Sequence, residues 1–140
     1  MSPRGWIAAA ALAGLTVVAV GIGRGAAESS GQTIEIDIHY SHFTPAALTV
    51  PAGVPIRFVI VNTDPIDHEW IVGDAAVHER HRNGTEAQHG ARPTERSIGA
   101  GKMVETVVTF PSPGTLTYVC HLPGHEAYGM VGTLVVVPNG

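Results

Sequence analysis

"YVCHLPGHEAYGM", residues 118–130, holds the chain's single cysteine, and two histidines and a methionine lie within the ten residues that follow it. Pro123, Gly124 and Gly129 constrain the backbone between them. Leu116, Tyr118 and Cys120 share one face of an alternating run, so the stretch opens as the end of a β-strand with Cys120 turned inward. One cysteine makes no internal disulfide. Cys120 is therefore either a small buried hydrophobe or a thiolate held by a metal.

Upstream, the same alternation recurs. Ile34, Ile36, Ile38 and Tyr40 alternate with Glu35, Asp37 and His39, the pattern of a half-buried strand. Val54, Ile56, Phe58 and Ile60 form a second inward row behind the turn Pro51-Ala52-Gly53. His68, Trp70 and Val72 alternate with Glu69 and Ile71, and Met103–Phe110 places Val104, Val108 and Phe110 on one face. Pro111–Gly114 is a tight turn, and Val131–Val137 is an apolar run that reads as a buried strand. Short strands punctuated by Gly and Pro predict an all-β fold, a β-sandwich.

A thiolate, an imidazole and a weak thioether are three of the four ligands of a type 1 copper site. Cys120, His125 and Met130 supply them at intervals of five. The fourth ligand must come from elsewhere, and His68 fits: it opens a strand just after Asn62-Thr63-Asp64-Pro65, on the face of Trp70 and Val72. His39 points outward by alternation, and His42 is expected in the first crossover. In "NTDPIDHEW", "CHLPGHEAYGM" and "HFTPAALTVPAGVPIRFVIVN" the chain resembles the cupredoxins, the type 1 blue copper proteins akin to plastocyanin and azurin. The ligand-loop spacing is similar to that of rusticyanin.

That resemblance covers nearly all of residues 28–140. It implies a Greek-key β-sandwich with one copper ion at one end, held by His68, Cys120 and His125, with Met130 as axial ligand. Met130 has a plainer reading as core filling beside Val131. The function implied is one-electron transfer by a monomer that meets a redox partner protein, a carrier and not an enzyme. The alternative is an extracytoplasmic copper-binding or copper-resistance protein that captures the ion or delivers it to a copper-handling protein.

Residues 1–27 read as a targeting segment. Arg4 is positive, Trp6 to Gly23 is uncharged and mostly apolar, and Gly25-Ala26-Ala27 offers small residues before Glu28. The apolar stretch is barely long enough to span a bilayer. A cleaved signal peptide and an uncleaved N-terminal membrane anchor both fit, and either carries residues 28–140 out of the cytoplasm, to the periplasm or beyond. All 12 acidic residues fall in that domain, whereas Arg4 and Arg24 do not, so it is more acidic than the whole chain's formal charge of −4. Such a balance argues against a nucleic-acid partner.

Three features depart from the pattern. Many cupredoxins place Asn or Ser after the upstream histidine; here it is Glu69, and a carboxylate close to the metal would favour Cu(II), although alternation turns it away from His68. His121 gives a Cys-His-x3-His-x4-Met string similar to the last motif of multicopper oxidases. Val119, not histidine, precedes Cys120, there is no His-x-His pair, and the chain is too short for the domains that complete such a cluster. His121 is thus expected to be exposed at the rim or hydrogen-bonded there. Finally, residues 74–97 form a polar insertion without a period of two. Asp74 caps a short helix from Ala75 to Asn83, stopped by Gly84. His78 and His81 share a helix face, and with His89 they either bind a second metal or belong to a solvated loop whose arginines and acids balance.

Overall fold

The computed structural model describes residues 31–140, so the targeting segment expected at 1–27 lies outside them. The chain runs β1 (Thr33–His39), β2 (His42–Thr44), β3 (Ala47–Pro51), β4 (Pro55–Asn62), β5 (His68–Gly73), α1 (Ala75–Arg82), β6 (Glu95–Ile98), β7 (Met103–Thr109), β8 (Gly114–Val119) and β9 (Val131–Val137). Two mixed sheets face each other, in the orders β2-β1-β4-β7 and β3-β9-β8-β5-β6. The chain passes repeatedly between them, which makes β1 parallel to β4 and β3 parallel to β9. Every other strand pair is antiparallel. This is the Greek-key β-sandwich expected. Among the described residues no helix is long and apolar enough to cross a membrane.

The inward rows anticipated from alternation form the core. Ile36 and Ile38 of β1 and Ile56, Phe58 and Ile60 of β4 face Trp70, Tyr118 and Leu134 across the sandwich, and all are fully buried. Each such side chain contributes about 1.5–3 kcal/mol relative to exposure, so this layer dominates stability. Cys120, His68 and Met130 are also fully buried, at one end of it.

Four local expectations change. The run Val131–Val137 is half-buried, with only Gly132, Leu134 and Val136 turned inward, because β9 has solvent on its other face. His42 lies in β2, and Ala47–Pro51 forms β3, both short edge elements. The polar insertion ends earlier than residue 97, since Glu95–Ile98 pairs with β5 as an edge strand. Its polar residues hide it from a hydrophobic-period reading. Lastly, β5 alternates in sequence but is buried on both faces. His68, Trp70 and Val72 face the core, while the outer face lies under α1. At Gly73 a Cβ would sit 2.5 Å from Val77, so the helix rests directly on the backbone. Asp74 caps that helix as expected, accepting from the N–H groups of Ala76 and Val77 at 3.0 Å each.

A glycine fixes the pairing beside the ligand loop. Tyr118 and Gly132 are cross-strand partners, and the phenol ring occupies the space a side chain at 132 would need, 2.0 Å from the Cβ position. The ring is pinned at its far end, where the hydroxyl donates to the Pro45 carbonyl at 2.7 Å. Gly132→Ala should therefore cost about 1–3 kcal/mol through overpacking, read as a lowered thermal midpoint. An unchanged midpoint would show that the Tyr118 ring has another place to go.

Candidate metal centre

The centre is assembled where β5 begins and β8 ends. His68 is the first residue of β5, and Cys120 follows the last residue of β8. The Cys120–Met130 loop is closed on itself by backbone bonds, Cys120 N–H to Met130 O at 3.2 Å and Met130 N–H to His125 O at 3.0 Å. Gly124 and Gly129 take left-handed backbone angles, φ 86° and 91°, which allows so tight a loop. His125 is thereby brought over Cys120, with Nδ1 3.2 Å from Sγ. His68 Nδ1 lies 3.2 Å from His125 Nδ1.

Those separations suit a shared ion. Ligand atoms on one metal at the usual bond lengths stand about 3.3–3.8 Å apart, close to what is seen here. One ligand atom from each of His68, Cys120 and His125 lies within 4.8 Å of the others. Met130 is completely buried and tied by its backbone to both Cys120 and His125.

The protonation pattern also fits. Asp64 Oδ2 stands 2.9 Å from His68 Nε2, and a carboxylate only accepts, so Nε2 carries the proton and Nδ1 presents a bare lone pair to the centre. Burial pushes the Asp64 carboxyl up, but the N–H groups of Ser41 and Tyr40, both at 2.8 Å, together with His68 hold it below the ordinary carboxylate range. Asp64 is itself placed by Asn62, whose Oδ1 accepts from the Asp64 N–H at 3.0 Å while Nδ2 donates to the Ile66 and Gly99 carbonyls. Burial, and then the neighbouring His68, lower the pKa of His125, which keeps it neutral and able to ligate.

Burial pushes the Cys120 thiol up to about 11 even though the backbone N–H groups of Glu69 and Leu122 favour the thiolate. Glu69 N–H points at Sγ from 3.3 Å. A sulfur in this setting is a thiol at neutral pH until a cation replaces its proton.

All four residues singled out from the sequence are thus at one end of the sandwich. Asp64 was missed, although it lies within the Asn62–Pro65 turn; a carboxylate four residues before a buried histidine was the available signal. Alternation turns Glu69 away from the centre as expected. Its N–H reaches the sulfur, while its carboxylate lies on the sheet's outer face, 3.3 Å from His89 Nε2.

His121 is not exposed. Its side chain is 3% accessible, and Nε2 lies 2.9 Å from His78 Nδ1. Strand alternation sends it to the outer face beside Val119, where α1 covers it. Burial pushes its pKa down to about 4, against the pull of Glu126. The solvated-loop reading of the insertion fails for its histidines, since His78, His81 and His89 are all buried, while residues 82–88 and 90–93 are exposed. A forked ion pair joins the insertion to the ligand loop, with Arg82 Nε and Nη2 3.0 and 2.6 Å from the Glu126 carboxylate. His78 and His121 do not join the His68–Cys120–His125 group.

A family model described as the cupredoxin-like domain matches residues 9–136. The copper-resistant cuproprotein CopI of Pseudomonas aeruginosa is 30% identical over a gapped alignment of 144 positions that covers 80% of this chain and 80% of that protein. Auracyanin-B of Chloroflexus aurantiacus is 30% identical over 128 residues, covering 79% of this chain and 54% of that one. The structure of dithionite-reduced auracyanin from the photosynthetic bacterium Roseiflexus castenholzii matches with a TM-score of 0.65 at 27% identity, over 77% of this chain and 98% of that chain. The chain belongs to the cupredoxin-like family.

Proposed function

We propose that His68, Cys120 and His125 hold one copper ion, with Met130 as axial ligand, and that the protein carries single electrons outside the cytoplasm. Bound there, copper supplies a one-electron couple, Cu(II)/Cu(I). The observation that carries the reading is the prearranged donor set, buried at His68 and Cys120 and half-buried at His125: a bare His68 Nδ1 fixed by Asp64, a neutral His125 fixed by a closed loop, and a sulfur that meets two N–H groups. Rigid donors change little between oxidation states, which keeps the barrier to electron exchange low. Four protein ligands leave no position for a substrate, so the reading is a carrier and not an enzyme. The sulfur, soft and buried, selects copper over harder cations.

A second reading has its own support. The resemblance to CopI and the histidine-lined insertion beside the centre favour copper capture, with delivery to a copper-handling protein. Both readings use the same centre, place residues 28–140 beyond the cytoplasmic membrane and need no oligomer. They differ in exchange rate: rapid reversible one-electron cycling of the loaded protein supports the carrier, and sluggish cycling supports capture.

Three variants test the centre. Cu(II) should bind the wild-type protein with one tight equivalent and an intense thiolate charge-transfer band, and Cys120→Ala should abolish that band because the sulfur is its source. Survival of the band would end the assignment. Met130→Leu should retain the colour and raise the reduction potential, since loss of a weak donor disfavours Cu(II) more than Cu(I); an unaltered potential would reduce Met130 to packing. Asp64→Asn should weaken copper affinity about 10–100-fold, the usual effect of losing the carboxylate that orients a histidine ligand, as measured by competition against a chelator. Wild-type affinity in that variant would mean that packing alone holds His68.

A further inference from the structure

The buried histidines of the insertion lie outside the centre described above, and their hydrogen bonds do not close. One ligand atom from each of His81, His89 and Glu95 lies within 4.8 Å of the others, and all three residues are buried. His81 Nδ1 is 2.8 Å from the Val77 carbonyl, which only accepts. The proton of neutral His81 is therefore on Nδ1, and Nε2 is a bare lone pair. That atom has no hydrogen-bond partner, yet it faces Glu95 Oε2 at 3.5 Å. Two acceptors so placed lack anything between them. Two donors on a tetrahedral ion with bonds near 2.1 Å stand about 3.4 Å apart, which is nearly the separation observed.

The flanking groups are arranged in the same sense. His89 Nε2 lies between Thr85 Oγ1 and Glu69 Oε1, each 3.3 Å away, and a carboxylate so placed is of the kind that orients a metal-bound imidazole. With the proton on Nε2, Nδ1 is left bare, and its neighbour is another acceptor, the exposed Glu86 carboxylate, whose Oε1 is 3.2 Å away. Glu95 is held by Arg80, which donates to Oε1, and by Arg92, whose Nη1 is shared between Oε1 and Oε2 at 3.0 and 3.2 Å. The competing account is a plain ion-pair cluster of Glu95 with its two arginines and a protonated His81. It meets His81 Nε2 only through a 3.5 Å contact to Glu95 Oε2 that falls short of a hydrogen bond, and a polar atom so poorly met in a dry interior is costly.

We propose that His81, His89 and Glu95 form a second metal site, separate from the sulfur-containing one, that takes a borderline divalent cation, Zn(II) or Cu(II). Two imidazoles and a carboxylate suit these ions, and the absence of a soft sulfur disfavours Cu(I). The site lies under the insertion on the outer face of β5, whereas His68 faces the core. His121 is the ring between the two, next to Cys120 in sequence and stacked on His81 at 5.5 Å.

The test starts from protein already carrying one copper equivalent, identified by its thiolate band. Zn(II) is titrated in by calorimetry, and Cu(II) in a parallel arm by electron paramagnetic resonance. The expected result is one further equivalent of at least one ion, with the thiolate band constant. In the second arm a new Cu(II) signal without thiolate character would identify copper as the occupant, and Zn(II) binding alone would identify zinc. His89→Gln and Glu95→Gln, each made singly, should weaken that equivalent at least tenfold and leave the band in place, which also shows that they fold. The proposal is overturned by no further equivalent of either ion, by a further equivalent that both variants bind as the wild type does, or by added metal that only displaces copper from the first centre. Absence of the thiolate band at the outset would instead count against the copper reading of Cys120, so the two failures are separable.

Discussion

The Asp64 carboxylate ties the sandwich to its centre. It accepts from the N–H groups of Tyr40 and Ser41, which hold left-handed φ values of 50° and 56° in the turn between β1 and β2. It also fixes His68 at the start of β5, in the opposite sheet. Non-glycine residues in that backbone region carry strain, and two charge-assisted bonds to a buried carboxylate are a sufficient reason for it to persist. One side chain thereby sets the first turn, the crossing from β4 to β5 and the tautomer of His68, a proposed ligand. Asn62 extends the arrangement to Gly99, at the end of β6, so the strands around the centre are mutually positioned before any ion arrives.

The second constraint is the cover on the outer face of β5. A β-sandwich with solvent on both outer faces would leave His121 and Glu69 wet. Here α1 sits on Gly73, Arg82 reaches Glu126 in the ligand loop, and the Glu69 carboxylate meets His89. Arg82 lowers the pKa of Glu126, against burial that would raise it. The exposed ion pair itself adds little stability, because solvent screens it. Its role is geometric: it holds the cover against the residue that directly follows His125.

The core and the centre were legible because they obey short-range rules. Ile36, Ile38, Ile56, Phe58 and Ile60 reveal themselves by a period of two, and Cys120, His125 and Met130 by spacing within one loop. What was hidden depends on chain segments distant in sequence. Val131–Val137 contains no charge to mark its solvent face, so a half-buried strand looked fully buried. Glu95–Ile98 pairs at an edge through its backbone, which polar side chains do not announce. His121 was expected at the rim, exposed or hydrogen-bonded, and whether that position means solvent is decided by α1, far upstream in the chain. The same cover buries His78, His81 and His89, whose polarity had suggested a wet loop. Asp64 was overlooked because its partners, Tyr40 and Ser41, lie in a turn whose shape has no sequence period.

The groups around the proposed copper centre act on it in opposite directions. Asp64 increases the donor strength of His68 and so favours Cu(II). The Glu69 N–H, 3.3 Å from Sγ, withdraws charge from the thiolate and favours Cu(I), as does the burial that makes a free thiolate costly. The carboxylate of Glu69 would have reinforced Asp64 had it faced inward. By directing it to His89 instead, β5 leaves the sulfur facing the N–H groups of Glu69 and Leu122 and the His125 ring, with no second carboxylate. The substitution of glutamate after the upstream histidine therefore changes the outer face of the sheet, where the buried histidines are, far more than it changes the environment of the sulfur.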